Sequence, residues 1–130
     1  MVRYGGIGFM KVWEARLILN YTMDDTWETR FVFELQDKDY KFIDNNNEWV
    51  HRDGWIINRI SAKMTVEQNG YSGFRVVQGF DRELNKDELS VLEIEMREMM
   101  VKELDNQRKR FLKEHGNKIK AVWEGIDNEI

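Results

Sequence analysis

Apolar and polar side chains alternate from Lys11 to Tyr21. Trp13, Ala15, Leu17, Leu19 and Tyr21 fall on one face, and Glu14, Arg16, Ile18 and Asn20 on the other. A period of two is the mark of a half-buried strand. The pattern returns from Trp27 to Leu35, with Trp27, Thr29, Phe31, Phe33 and Leu35 on one side. The five residues 22–26 between the two runs suit a hairpin loop. Further along, Tyr40–Ile43 reads as a short strand and Asp44-Asn45-Asn46-Asn47 as a turn or loop. Asp53-Gly54 lies between Glu48–Arg52 and Trp55–Ile60, and Asn69-Gly70 between Ser61–Gln68 and Tyr71–Phe80. Both dipeptides accept the positive φ angles of a two-residue hairpin turn. Gly73 and Gly79 suggest a bulge or a close backbone approach in the last strand.

After Phe80 the period changes. Asn85-Lys86-Asp87-Glu88 has the form of a capping box, with Asn85 as N-cap and Glu88 reaching back to it. No Gly or Pro follows until Gly116, so a helix over 86–115 is expected, about 45 Å long at 1.5 Å per residue. Leu89, Leu92, Met96, Met100, Leu104 and Phe111 form its apolar stripe, widened by Val91, Ile94, Met99 and Leu112. A stripe of this width implies burial on more than one side. Leu92, Met96, Met99 and Met100 are accordingly the candidate interface of a homo-oligomer, a dimer or higher. A short final helix is expected from Asn117 to about Gly125. The whole is an α+β arrangement: an antiparallel sheet of about five to seven strands, then a long C-terminal helix and a short final one. Residues 10–130 read as a single domain, β-rich over 10–80 and helical over 85–125. Residues 1–9 read as a flexible leader, and Met10 could serve as an alternative start.

Composition narrows the chemistry. The 130 residues contain no Cys, which removes disulfides, Cys-ligated zinc and thiol nucleophiles. Pro is also absent, although average usage of about 5% would supply six or seven. The net charge of −4 opposes bulk duplex nucleic-acid binding, which needs a positive field. No apolar run approaches the roughly 20 residues of a membrane helix, and the first residues lack the apolar core of a signal peptide. A cytoplasmic location is expected. With two histidines, His51 and His115, and no visible nucleophile–base pair, no catalytic residues, cofactor or metal are expected. Asp24-Asp25, and Asp37 with Asp39, fall in expected turns, where Asp is common for backbone reasons. Gly5-Gly6-Ile7-Gly8 precedes a strand, whereas a phosphate loop follows one and opens a helix.

Charge is distributed unevenly along the helical part. Residues 81–105 hold nine acids and four bases, whereas 106–120 hold six bases and one acid. Such a gradient compensates the helix dipole. It can also supply an anion site from Arg108, Arg110 and Lys113. Trp49, Trp55, Tyr71, Phe74 and Phe80 are less easily placed: core packing is favoured for them, whereas Phe74 and Phe80, from the last strands, could instead stack on a ligand's base.

A Trp-rich antiparallel sheet, the long helix Asn85–Gly116 and a short final helix resemble the layout of phage-encoded anti-Thoeris sponge proteins. The absence of Pro and Cys, the Met content and the Asn/Asp/Lys-rich loops strengthen the likeness, which covers residues 10–125 and is one of layout. It implies a non-catalytic oligomer that sequesters a cyclic ADP-ribose signal, an anionic nucleotide, in pockets between subunits lined by aromatic, polar and arginine side chains. Phe74, Phe80, Arg108 and Arg110 are of the right type for such a pocket. The alternative is a phage-encoded inhibitor or adaptor that binds a host protein through the sheet or the long helix.

Overall fold

The computed structural model describes residues 8–22, 24, 26–54, 58–69 and 73–115. Six strands form one antiparallel sheet: β1 (Met10–Tyr21), β2 (Trp27–Ile43), β3 (Glu48–His51), β4 (Arg59–Ser61), β5 (Thr65–Gln68) and β6 (Gly73–Phe80). Their spatial order is β4-β3-β2-β1-β6-β5, so β1 is central and β6 returns to pair with it. One helix, α1 (Lys86–His115), follows. The fold is therefore the α+β arrangement expected, while the short helix expected over 117–125 lies outside the described residues.

The β1–β2 hairpin has the expected faces. Leu17 pairs with Phe31 and, on its other side, with Val76 of β6. These side chains face α1, and Ala15, Leu17, Leu19 and Val76 are fully buried there. They pack with Leu84, just before the helix, and with Leu92, Met96, Met100 and Leu104, its inner stripe. Asn85 caps α1 as its sequence predicts. The Glu88 N–H donates to Asn85 Oδ1 at 2.9 Å, and the Asn85 N–H to Glu88 Oε1 at 3.0 Å.

Four expectations need correction. Tyr40–Ile43 is not a separate strand but the end of β2, which runs unbroken for 17 residues. Two register shifts let it continue: β2 carries one more residue than β1 between Leu35 and Asp37, and another between Asp37 and Tyr40. Asp37 and Asp39 thus lie in a strand rather than a turn. Asp53-Gly54 does not close a two-residue hairpin, because Val50 pairs with Arg59 and the His51 N–H donates to the Asn58 carbonyl. Asn69-Gly70 does not either: Gln68 pairs with Phe74, and the Asn69 N–H donates to the Gly73 carbonyl at 2.9 Å. In both places the strand register, set by packing across the sheet, overrides the local turn preference. Residues 44–47 do form a turn, with Asn47 at φ 54°.

The bulged half of β2 carries β3 and β4 over the sheet face opposite α1. There Val12, Tyr40, Trp49 and Ile60 form a second buried cluster. A methyl group at Gly79 would collide with Ile60 Cγ2 and stand 3.0 Å from the Trp49 ring. Only glycine lets the sheet close on itself at this point. Beyond this cluster the same face is charged: Arg16 bridges Glu14 and Glu34, and Arg75 pairs with Glu67. Burial pushes the Glu14 carboxyl up, against the opposing pull of Arg16.

Candidate functional site

Of the expected binding residues, the described side chains are those of Phe74 and Phe80. Phe74 and Phe80 share the α1 face of β6 and pack against the inner core. The Phe80 ring meets Phe33 edge-on at 6.4 Å. Both aromatics thus serve the fold. The alternation Phe74, Val76, Gln78, Phe80 carried that information, since one face of a strand shares one environment. Arg108, Arg110 and Lys113 belong to the last turns of α1, but their side chains lie outside the described residues.

The helix also divides differently from the expected broad stripe. Leu92, Met96 and Met100 are buried by the chain's own sheet, and Met99 packs beside them. Leu92, Met96 and Met100 are thus taken up by internal packing, while Met99 is only partly buried. Val91, Ile94 and Val101 point away instead, with relative exposures of 56, 58 and 41%. At 3.6 residues per turn they sit roughly 140–160° around the helix from Met96. They form a separate aliphatic row, interleaved with the exposed acids Glu98 and Asp105.

No protein-family model, curated protein or solved structure matches this chain. Among the described residues, no helix is long and apolar enough to cross a membrane.

A constellation that the sequence reading set aside lies at the bulged end of β2. The Asp37 and Asp39 carboxylates and the His51 imidazole have ligand atoms within 4.8 Å of one another. His51 comes from β3, opposite Tyr40, and its ring packs edge-on against the Tyr40 ring at 5.1 Å. The Asp53 N–H donates to His51 Nδ1 at 3.1 Å, so in this arrangement Nε2 bears the proton and donates to Asp37 Oδ2 at 3.0 Å. That bond, with a second from the Lys38 N–H, holds the Asp37 carboxyl below the usual range. Arg52 Nη2 lies 3.5 Å from Asp39 Oδ1. Burial raises the Tyr40 hydroxyl, and the nearby charges of Asp37 and Glu14 add to the effect. The one sequence clue was the i, i+2 spacing of the two Asp residues. It places carboxylates on one side of a regular strand but says nothing of a histidine delivered by the next one.

Proposed function

We propose that this protein acts by binding rather than catalysis, as a sequestering protein of the anti-Thoeris sponge type. A pair of chains meets through the outward face of α1 and holds an anionic nucleotide between subunits. The observation that carries this reading is the aliphatic row Val91, Ile94 and Val101, exposed on a helix whose first half is acidic and whose last turns are basic. Two such helices side by side in opposite directions set the acidic half of each against the basic half of the other. Opposite charge then fixes register while the aliphatic row supplies the apolar contact. Arg108, Arg110 and Lys113 gather at both ends of such a pair. Arginine suits a nucleotide's phosphates because its planar fork donates two parallel hydrogen bonds.

The packing of Phe74 and Phe80 in the core favours a second reading, in which the same helix face docks a host protein and no nucleotide is involved. Sedimentation and a thermal-shift panel separate the two. In the first reading the parent is a dimer, and Ile94→Glu is a monomer with an unchanged fold. A cyclic ADP-ribose isomer at 100 times its dissociation constant stabilises the parent by about 2.7 kcal/mol. Arg110→Ala weakens that binding by about 1.5–3 kcal/mol, the range for a charge-assisted hydrogen bond. A parent that dimerises but responds to no anionic nucleotide refutes sequestration and leaves the protein-partner reading. A monomeric parent refutes the helix pairing.

A further inference from the structure

We propose that Asp37, Asp39 and His51 form a binding site for a divalent first-row transition cation such as Zn2+ or Mn2+. The inference is independent of the function proposed above, since the site lies on the face of the sheet opposite α1. Its donor set is two carboxylates and one imidazole, brought together by the double bulge of β2 and the pairing of β2 with β3. Ligands of one such cation, each about 2.0–2.2 Å from it, sit roughly 3–4 Å apart. The ligand atoms, all within 4.8 Å of one another, need to close by at most about 1–2 Å to reach that spacing.

Charge and orientation favour the cation. Asp37, Asp39 and Asp53 surround the imidazole, and among the described residues Arg52 is the Lys or Arg side chain within ion-pair distance of them. That guanidinium is mostly exposed, stacks over the Phe9 ring at 4.5 Å, and meets Asp39 only at a long 3.5 Å. The Tyr40 ring fixes the plane of the imidazole and leaves Nε2 aimed at the carboxylates. When a metal takes Nε2, the ring proton moves to Nδ1. Asp53 Oδ2, now 3.9 Å from Nδ1, becomes its acceptor in place of the contact with the Asp53 N–H. Asp53 is therefore a positioning residue, acting as the carboxylates behind metal-bound histidines do.

The donor set also selects among ions. Calcium takes six to eight oxygens, and magnesium keeps its water and oxygen ligands in a strict octahedron. An imidazole with two carboxylates suits Zn2+ or Mn2+, with water completing the shell.

The test is calorimetric titration of the full chain with Zn2+, alongside Mg2+ and Ca2+. One equivalent of Zn2+ should bind, and Mg2+ and Ca2+ should not compete. His51→Gln and Asp39→Asn should each weaken Zn2+ at least about tenfold, and Asp53→Ala by about 10- to 100-fold. His115→Gln should bind like the parent. Asp39→Asn removes only a solvent-exposed ion pair and keeps the test valid if His51→Gln does not fold. Mn2+ should broaden the NMR signals of the Tyr40 ring before those of Phe31 beneath α1. Absence of Zn2+ binding up to about millimolar concentration overturns the site. So does binding that survives both His51→Gln and Asp39→Asn, or a preference for Mg2+ or Ca2+.

Discussion

Truncating Met96 to alanine tests how α1 sits on the sheet. Met96 is fully buried, within the cluster of Ala15, Leu17, Leu19 and Val76 from the sheet and Leu92, Met100 and Leu104 from its own helix. Alanine removes three heavy atoms from a site closed on every side. The loss combines their transfer free energy with the cavity left behind, together about 2–5 kcal/mol for a buried methionine. Neighbours from two layers cannot collapse into the gap without moving the helix, and three of them, Leu92, Met100 and Leu104, belong to that same helix. A value near the middle, about 3 kcal/mol, is expected. For a domain of this size it lowers the melting temperature by roughly 10 °C. Urea unfolding followed by tryptophan fluorescence and by far-ultraviolet circular dichroism measures it, because the five tryptophans report tertiary packing and the helix reports itself. Val91→Ala is the paired control, more than half exposed on the other side of α1, and should change stability by no more than about 0.5 kcal/mol. Equal losses for the two variants, or a loss for Met96→Ala below about 0.5 kcal/mol, would refute the assignment of inner and outer faces.

Gly79→Ala should destabilise by about 1–3 kcal/mol, measured by the same urea titration, since its methyl group would meet Ile60 and Trp49 in a closed space; an unchanged midpoint would mean that β4 does not pack on β6. Glu88 is held down to about 2, first by the hydrogen bonds from Arg82 and then by the Asn85 N–H. A depressed carboxyl stabilises the fold at pH values above its unfolded value and loses that contribution as pH falls through the folded one. The parent should therefore exceed Glu88→Gln in stability at neutral pH, with the gap closing between about pH 4.5 and pH 2. Solvent screening keeps the effect small, and parallel acid-unfolding curves for the two proteins would count against the pairing.

Local chemistry made part of this structure readable. Each strand of the β1–β2 hairpin is written within about a dozen residues and the capping box within four, and no distant contact opposes them. The double bulge in β2 was invisible because it answers to its neighbours. Extra residues around Asp37 are tolerated only because β3 and β4 then fold back over Val12 and Gly79. Asn69-Gly70 carried a strong turn signal, yet the pairing of Val66 with Val76 sets the register from the core side. On α1 the individual apolar residues were recognised, but Val91 and Ile94 were merged with Met96 into one stripe. Their angular positions separate them. The meeting of Asp37, Asp39 and His51 depends on which residue of β3 lies opposite Tyr40, a matter of tertiary register that no spacing along the chain encodes.

The central place of β1 also dictates an order of events during folding. Its partner β2 follows after a short loop, but its other partner, β6, is more than fifty residues away: Asn20 pairs with Gly73 and Trp13 with Phe80. Closing that span carries an entropic penalty that the local meander of β1 to β4 does not, so docking of β6 is the slow step. During synthesis the β1 edge emerges with its backbone donors and acceptors unpaired, beside Leu17 and Leu19, and waits for most of the chain to follow. An unpaired apolar edge is a template for other strands. The nascent protein is therefore most prone to aggregation after β4 has emerged and before β6 and α1 arrive, and variants that slow β6 docking should lower soluble yield even where the final stability is preserved.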